Sequence, residues 1–254
     1  MGYDLTHHVA LVTGAGRGLG FAIAKVLHDA GATVAVNDRN GDTCAAAIER
    51  LGGGKRLIPA AADLATIDGP GRAVAQACRT GRLDFLINNA AVNVERPIES
   101  TDDAHWDAHL SIILRASFLT VQAALPMLRA SRGCIINVAS ELGLHAIANN
   151  VAYVSAKHGL VTMTKAMAIE LARDGVRVNA LCPGTMDTEL MRDCAADSGD
   201  PETYYAAFAR YHPVGRLATP EEIAAFVLCL TSPAAAFMTG AAIAIDGGST
   251  AGRI

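Results

Sequence analysis

The sequence predicts a doubly wound α/β domain, in which helices cover both faces of a seven-stranded parallel sheet. Two observations lead to this prediction. Short runs rich in Val, Ile, Leu and Ala alternate with longer segments of helical periodicity along all 254 residues. The short runs are apolar on both faces, as strands buried between two helical layers must be. Alternation of this kind is typical of a parallel sheet with helices on both sides.

The predicted elements follow one another without a break. The strands are 8–13, 33–38, 56–61, 83–89, 133–140, 176–182 and 241–246. The helices are 18–30, 42–51, 68–80, 102–130, 152–173 and 219–231. The last helix has the clearest start, with Thr219 as N-cap, Pro220 at the first helical position and Glu222 closing a capping box. Because the chain has no linker, repeat or low-complexity segment, we interpret residues 1–254 as a single domain.

Composition and charge exclude several classes of partner. The net charge of -4 and a pI of about 6.0 give no overall attraction to nucleic acid or to an anionic membrane. The six cysteines are far apart and lack zinc-binding spacing, which is typical of reduced thiols. The start of the sequence lacks a signal-peptide pattern, and no apolar run reaches membrane-spanning length. We therefore expect a cytoplasmic protein with no nucleic-acid and no membrane partner.

Four glycines crowd the turn between the first predicted strand and helix, in "LVTGAGRGLGFAIAK". Glycine lets the backbone adopt positive φ and approach a ligand closely. The helix that follows presents free N–H groups and its positive dipole end, which suit a pyrophosphate. Asp38 ends the next strand about 20 residues after Gly18, where a dinucleotide site has its ribose-binding carboxylate. These features predict a nucleotide site, and the alternative is a purely structural turn.

Tyr153 and Lys157 stand four positions apart in the small, apolar stretch "AYVSAKHG", so they share one face of a helix. A free tyrosine has a pKa of about 10, so too little of it is phenolate to accept a proton readily at neutral pH. A nearby ammonium, together with a cationic nicotinamide ring, is expected to lower that pKa. The phenol would then serve as general acid–base for a carbonyl/alcohol couple. A chance pair on the helix surface is the alternative.

Together these motifs resemble the short-chain dehydrogenase/reductase family over nearly the whole chain. "TGAGRGLG" is similar to the family turn TGxxxGxG, and "YVSAK" is similar to YxxxK, with Ser140 at the family distance before Tyr153. "NNAA" (88–91) resembles the family NNAG, with Ala91 where glycine is usual. "RVNALCPGTMDT" (177–188) resembles the segment that holds the nicotinamide, and "DGGST" (246–250) resembles the family's C-terminal end. The resemblance implies a Rossmann-type fold and an NAD(P)-dependent oxidoreductase that interconverts a secondary alcohol and a ketone by hydride transfer.

The resemblance also assigns roles to residues. It implies Tyr153 as general acid/base, Lys157 as the group that lowers its pKa and binds ribose, and Ser140 as the group that orients the substrate oxygen. The implied cofactor-binding residues are Gly14, Arg17, Gly18, Leu19, Gly20, Asp38, Arg39, Asp63, Leu64, Asn89, Ala90, Tyr153, Lys157, Pro183, Gly184, Met186 and Thr188. Because the Asp38 carboxylate would repel a 2′-phosphate, NAD is expected in preference to NADP, although Arg17 or Arg39 could meet a phosphate.

The implied substrate pocket draws on residues after "NNAA", residues after Ser140, and the polar segment 185–213. We interpret 185–213 as a substrate lid, and a surface excursion is the alternative. The candidate substrate residues are Asn93, Glu141, His145 and Asn150. Their hydrogen-bonding groups favour a polar substrate such as a sugar, polyol or hydroxy acid. No metal site is predicted, because His105 and His109 have a suitable spacing but no evident third ligand.

One departure from the family pattern concerns catalysis. "WDAHLSIILRASF" (106–118) aligns without a gap with W-D-x-x-x-x-V-N-L-x-G-x-F, which places Ile113 where the family has a catalytic asparagine. Isoleucine cannot hold the water that links the lysine to solvent, and Ser111 would point about 160° away on an ideal helix. Two functions stay open: an active oxidoreductase, or a dinucleotide-binding protein with weak or lost turnover that acts as a sensor or partner subunit.

The two longest predicted helices, 102–130 and 152–173, bear on assembly. They are rich in Ala, Leu, Ile and Met, so they would leave apolar surface outward after covering the sheet. In the family that the chain resembles, these helices pair across a two-fold axis. A homotetramer with two-fold symmetry is therefore expected.

Overall fold

The computed structural model describes residues 3–252, and its seven strands form one parallel sheet in the order β3-β2-β1-β4-β5-β6-β7. The strands are β1 (Val9–Val12), β2 (Thr33–Val36), β3 (Leu57–Pro59), β4 (Phe85–Asn88), β5 (Cys134–Val138), β6 (Arg177–Pro183) and β7 (Ala242–Ile245). This confirms the predicted sheet, its seven strands and the single domain. The connection from β3 to β4 crosses back over the sheet, so the strand order reverses between the neighbouring strands β1 and β4. Such a switch point opens a ligand crevice at the carboxyl ends of the strands.

Helices cover both faces of the sheet. They are α1 (Gly18–Asp29), α2 (Gly41–Arg50), α3 (Gly69–Ala77), α4 (Asp103–His109), α5 (Ala116–Ser131), α6 (Val151–Leu171), α7 (Glu189–Asp197), α8 (Pro201–Ala209) and α9 (Pro220–Thr231). Short 3-10 turns lie at Cys78–Thr80, Ile98–Ser100, Glu141–Gly143, Ala172–Asp174 and Pro233–Ala235. The predicted capping box at the start of α9 is present, with Thr219 and Glu222 each accepting the other's backbone N–H.

The alternation of side chains along the strands divides the core into two layers. In β1, Ala10 and Val12 pack beneath α1, α2 and α9, whereas Val9 and Leu11 pack beneath α3, α5 and α6. Successive residues of a strand point to opposite faces, so a strand between two helical layers must be apolar at every position. This explains why continuous apolar runs in the sequence located the strands correctly.

The predicted helix 102–130 is not regular. Between α4 and α5 the chain forms a π-helical segment, Leu110–Arg115, and Ile113 lies inside it with 1% of its surface exposed. The hydroxyl of Ser117 donates a hydrogen bond of 2.7 Å to the Ile113 carbonyl. A π segment widens the helix locally and is often found at functional sites. The angle of about 160° expected for Ser111 assumed an ideal α-helix, so that estimate does not apply here.

One helical span within 3–252, Asp103–Ser131, is long and apolar enough to cross a membrane, with a mean hydropathy of 1.5 over an 18-residue stretch of it. The expectation that no segment reaches this length was therefore wrong. The span is nevertheless a core helix of the α/β domain, because Val121, Ala124 and Leu128 pack against the sheet. Thr120 also donates a buried hydrogen bond of 2.7 Å to the Asn88 side chain at the end of β4.

The polar segment 185–213 contains two short helices, α7 and α8. Thr188 caps α7 by accepting the N–H of Met191 at 3.3 Å. The Asp187 carboxylate accepts a hydrogen bond of 3.0 Å from Arg192 in α7 and one of 2.9 Å from the Tyr205 hydroxyl in α8. These contacts attach both helices to the end of the nicotinamide segment (177–188). The role of 185–213 as a lid stays a prediction.

Candidate active site

The crevice between β1 and β4 is closed by side-chain bonds to the backbone. The Thr13 hydroxyl, at the end of β1, accepts the N–H groups of Asn89 at 2.8 Å and Ala90 at 3.0 Å. The Asn89 amide donates to the carbonyls of Thr13 at 2.9 Å and Gly14 at 3.2 Å. Gly14 has φ +61, and a Cβ there would lie 2.9 Å from the Ala90 Cα. The glycine turn is thus held against the segment that follows β4.

The same turn leaves an open place above the start of α1. Gly18 has φ +55, and an added Cβ would meet no atom closer than Thr188 Cγ2 at 3.8 Å. At Gly20, by contrast, a Cβ would collide with the Gly14 carbonyl, and Leu19 beside it is buried. The free N–H groups of the helix therefore face a gap whose other side is Thr188. A pyrophosphate fits such a gap, since it needs backbone donors and close approach.

The Asp38 carboxylate is aimed at the glycine turn. Its two oxygens accept the N–H of Gly16 at 3.1 Å and the N–H of Arg39 at 2.7 Å. A Cβ on Gly16 would collide with this carboxylate, so the second glycine of the turn makes room for it. Arg17 and Arg39 lie exposed beside it. This is the placement that a ribose-binding carboxylate requires.

Asp63 and Leu64 follow β3 at the same edge of the sheet. Leu64 is buried with Ala62 and Ala73 in a small apolar cluster. The half-buried Asp63 carboxylate accepts the N–H of Ala65 at 2.9 Å. Leu64 offers an apolar surface and Asp63 a polar one, which suits the base of a nucleotide.

Ser140, Tyr153 and Lys157 come together at the carboxyl end of β5. Ser140 follows the strand and lies close enough to Tyr153, near the start of α6, to lower the pKa of the phenol. Lys157, one turn further along α6, donates a 2.7 Å hydrogen bond to the Val138 carbonyl, and its Nζ lies 5.4 Å from the centre of the Tyr153 ring. The fold therefore assembles the three predicted catalytic residues, and their roles stay predictions.

Burial shifts the pKa values of Tyr153 and Lys157 in the chain without cofactor. Burial raises the pKa of Tyr153 to about 12, nearby Ser140 opposes that rise, and the charge of Glu141 adds to it. Burial also lowers the pKa of Lys157 to about 7. The expectation that Lys157 and a nicotinamide ring together lower the pKa of Tyr153 concerns the cofactor-bound chain, so it stays a prediction. In the chain alone Lys157 is desolvated as well and its Nζ lies beside the ring.

Ile113 and His109 pack next to these residues. Ile113 joins Ala156 and Leu160 in a dry cluster that also includes part of the Tyr153 ring. His109, one turn earlier, is buried, and its ring stands edge-on to Tyr153 at 6.4 Å. The two His109 nitrogens bond to the backbone of His105 and Val94 at 2.8 and 3.3 Å. Within residues 3–252, no three His, Cys, Asp or Glu side chains are grouped to hold a metal.

The candidate substrate residues fall into two groups. Asn93 lies in the exposed stretch 91–100. Glu141, His145 and Asn150 each carry a buried polar atom that has no hydrogen-bond partner among the described residues: Oε2 of Glu141, Nδ1 of His145, and both side-chain polar atoms of Asn150. Leaving a buried polar atom unpaired costs about 1–3 kcal/mol. A polar ligand or water that reaches this segment would recover part of that cost.

Pro183, Gly184 and Met186 lie where β6 leaves the sheet, next to a residue that the sequence did not indicate. His212, at the end of the polar segment, is 3% exposed and packs against Gly184 so closely that a Cβ there would lie 2.7 Å from its Cε1. No motif or spacing pointed to His212. The only available signal was a histidine at the end of an otherwise polar stretch.

The comparisons with known proteins agree with this geometry. Residues 14–250 match the family described as "Enoyl-(Acyl carrier protein) reductase". The chain is 37% identical over 255 residues to 2-(S)-hydroxypropyl-CoM dehydrogenase 3 of Xanthobacter autotrophicus, covering 99% of this chain and 100% of that protein. The chain belongs to the short-chain dehydrogenase/reductase family. It is also 38% identical over 254 residues to D-threitol dehydrogenase of Mycolicibacterium smegmatis, covering 98% and 95% of the two chains.

The short-chain dehydrogenase/reductase fold is matched over the full length by a solved structure. L-sorbose reductase from Gluconobacter frateurii, complexed with NADPH and L-sorbose, superposes with a TM-score of 0.93 at 29% identity, and each chain is covered completely. As a member of this family the chain is an NAD(P)-dependent oxidoreductase that acts on CH–OH groups. The predicted family, fold and enzyme class are therefore confirmed.

Proposed function

We propose that this chain interconverts a small polar secondary alcohol and its ketone with NAD as preferred cofactor, and that Tyr153 is the general acid/base. The meeting of Ser140, Tyr153 and Lys157 at the carboxyl edge of the sheet supports the proposal. Ser140 and Lys157 lie beside Cys182 of the nicotinamide segment, and the glycine turn follows β1 at the same edge of the sheet, so a substrate oxygen and a cofactor can share the crevice. Bound NAD supplies the hydride acceptor.

Each of the three residues has a separate task in the proposed reaction. The Ser140 hydroxyl holds the substrate oxygen, and Tyr153 removes or returns its proton. Because burial alone leaves the Tyr153 pKa at about 12, the phenol becomes a competent base only when positive charge is added near it. Lys157 contributes that charge once its Nζ gains acceptors besides the Val138 carbonyl, such as ribose hydroxyls.

The preference for NAD rests on Asp38. Its carboxylate is fixed on the glycine turn, where a 2′-phosphate would meet it, and charges about 4 Å apart interact by about 4 kcal/mol at an effective dielectric near 20. We expect kcat/KM to be higher with NAD than with NADP, and Asp38→Asn to narrow the ratio by about tenfold or more. Asp42→Asn, an exposed change in the first turn of α2, is the control. Equal kcat/KM for both cofactors in the wild type would refute the assignment.

A polar substrate is supported by the unpaired atoms of Glu141, His145 and Asn150. A relative named for threitol and a structural neighbour bound to L-sorbose are consistent with a polyol or sugar. We propose that these three residues and Asn93 contact the substrate, and that 185–213 closes over it. A panel of polyols, sugars, hydroxy acids and simple secondary alcohols, followed by absorbance of the reduced nicotinamide, tests the reaction and its substrate class together. No turnover across the panel would refute the proposed reaction.

We further propose a cytoplasmic homotetramer. Apolar side chains lie on the outer surfaces of the helices, with Phe118 46% and Ile169 81% exposed, and the edge strand β7 is only half-buried. Surfaces of this kind mark interfaces between subunits. All six cysteines are free thiols, which suits a reducing compartment.

The second candidate function is dinucleotide binding with weak or lost turnover. The observation that favours it is Ile113, which is buried in a dry cluster where the family has its asparagine. Among the described residues, Lys157 Nζ makes one hydrogen bond, to the Val138 carbonyl. A cofactor titration carried out beside the substrate panel separates the two functions, since a sensor would bind NAD and oxidise nothing.

A further inference from the structure

His212 joins three parts of the active site that are distant in the sequence. Its Nδ1–H donates a 2.7 Å hydrogen bond to the Asp246 carbonyl just after β7, and its Nε2 accepts the N–H of Thr185 at 3.3 Å. Glu141 Oε2, beside Ser140, lies 3.9 Å from Nδ1. The two hydrogen bonds require the neutral ring with its proton on Nδ1, because a carbonyl can only accept and an amide N–H can only donate.

The Thr185 bond makes His212 relevant to the nicotinamide segment. Gly184 leaves no room for a side chain between its backbone and the His212 ring, so the ring supports the segment directly. Met186 pairs with Ala218 just beyond this point. The Thr185 N–H is therefore held by His212 alone among the side chains described in 3–252.

Glu141 and His212 form a buried pair in which either side chain can carry a proton. The carboxyl is 8% exposed, and Oε2 has no hydrogen-bond partner in the part of the chain that the structure describes. If His212 takes a proton, Nε2 becomes a donor and can no longer accept the Thr185 N–H, whereas the imidazolium gains the Glu141 carboxylate as a partner. Protonation of His212 would thus replace its hydrogen bond from Thr185, in the nicotinamide segment, with an ion pair to Glu141, next to Ser140.

The other charged and polar groups around the pair are few. His145 and Asp246 face Glu141 from its own segment and from the end of β7, Ser249 lies near it, and burial raises the pKa of Glu141. Arg216 and Glu222 line a cavity of about 150 Å3 beside His212, but they form an ion pair with each other at 2.7 Å. Among the described residues, Glu141 is therefore the carboxyl group that lies against the His212 ring, at 3.9 Å.

We propose that His212 is a positioning residue for the nicotinamide segment, and that a proton shared with the buried Glu141 decides whether the segment is held. The proposal rests on the proposed function in one respect, that the segment binds a nicotinamide. When His212 is neutral, it accepts the Thr185 N–H and holds the nicotinamide segment in the position that binds the cofactor. When His212 is protonated, Thr185 is released and cofactor affinity falls.

The test is the affinity of the full-length chain for NADH, measured by nicotinamide fluorescence between pH 6.0 and 8.5. In the wild type we expect affinity to fall about fivefold or more toward pH 6.0. His212→Gln can still accept the Thr185 N–H but cannot be protonated, so its affinity should stay flat. In Glu141→Gln the loss should move to lower pH, because the imidazolium has lost its carboxylate. Lys157 also titrates in this range, so the comparison is between variants that share it.

Glu170→Gln is the matched control, because it makes the same change of charge at the exposed end of α6 and should titrate as the wild type does. A wild-type affinity that does not change with pH, or a His212→Gln variant that titrates like the wild type, would overturn the proposal. If His212→Gln fails to fold in a thermal melt, the comparison of Glu141→Gln with the wild type decides. NADH binding without turnover of any alcohol would refute the proposed reaction and leave this test readable, whereas a wild type that binds no NADH would overturn both.

Discussion

At the scale of single residues, burial decides the chemistry of the site more than pairwise attraction does. Tyr153 and Lys157 are neighbours on α6, yet the pKa of Tyr153 is raised to about 12 and that of Lys157 is lowered to about 7. Both shifts disfavour the charged forms, as desolvation requires. The chain alone therefore holds an uncharged phenol beside an ammonium that loses its proton near neutral pH, and bound ligands must supply the groups that reverse this.

The lowered pKa of Lys157 predicts a pH dependence of stability. The unfolded lysine keeps its proton up to about pH 10.4, and the folded one only to about 7, so between these values the unfolded state holds one proton more. Raising the pH through this window therefore stabilises the folded state, by up to about 1.4 kcal/mol per pH unit. We expect the free energy of unfolding without cofactor to rise from pH 7 to 8.5, and Lys157→Met to remove the rise.

Denaturant titration at several pH values measures this dependence. Lys165→Met, an exposed change on the same helix, is the control and should leave the slope unchanged. Cys134 and Cys182, whose pKa values burial raises to about 11, act in the opposite sense above about pH 8.5. The comparison therefore stops at pH 8.5. A Lys157→Met variant with the wild-type slope would show that Lys157 remains charged in the folded chain.

At the scale of elements, the π segment Leu110–Arg115 is the feature that a helical pattern in the sequence cannot show. The apolar periodicity of 102–130 correctly predicts a long helix, but the choice between i→i+4 and i→i+5 bonding depends on what the helix packs against. Here Ile113 turns into the cluster around Ala156 and Leu160. The missing asparagine was visible in the alignment, whereas the dry packing around Ile113 was visible only in the fold.

Replacing Ile113 by asparagine tests whether the lack of a proton relay at this position limits the reaction. If Tyr153 and Lys157 transfer the proton directly, the wild type turns over and its oxidation rate rises steeply with pH. Ile113→Asn should then raise kcat by about tenfold, or about 1.4 kcal/mol of barrier, and make that rise shallower. It should also lower stability by about 1–3 kcal/mol, because an amide without partners is placed in an apolar cluster. Steady-state pH profiles and thermal melts measure the two effects.

Ile113→Val is the control, since it trims the side chain without adding a polar group and should lower stability by about 0.5–1.5 kcal/mol. A folded Ile113→Asn variant with unchanged kcat and an unchanged pH profile would show that a relay at this position does not limit the reaction.

At the scale of the whole molecule, the features that the sequence predicts depend on local pattern, and those that it misses depend on packing between distant segments. Apolar runs predicted the sheet, and the glycine turn and Asp38 were predicted from spacing and lie together. The raised pKa of Tyr153 and the role that we propose for His212 were not predicted, because they arise where segments far apart in the chain meet. His212, for example, hydrogen-bonds to the backbone of Asp246 and of Thr185, which are distant from it and from each other in the sequence.

The prediction about oligomeric state also concerns the whole molecule. The outer faces of α5 and α6 leave Phe118 and Ile169 exposed, so we expect a homotetramer. Light scattering at micromolar concentration should give about four times the chain mass of 26.3 kDa. Ile169→Glu should weaken the assembly, because it places a charge in the apolar contact. Asp42→Asn, an exposed change in α2 on the other face of the sheet, should leave it intact. A wild-type mass of one chain would contradict the prediction.

The central claim is that Tyr153 transfers the proton, and the most direct measurement compares kcat of the wild type and Tyr153→Phe on a substrate found in the panel, together with the Kd for NADH. The variant keeps the ring and its packing and removes only the hydroxyl. We expect kcat to fall by about 10²–10⁴-fold, the range for loss of a general acid–base, while the Kd for NADH changes by less than about twofold. A Tyr153→Phe variant that keeps most of the wild-type kcat would contradict the account.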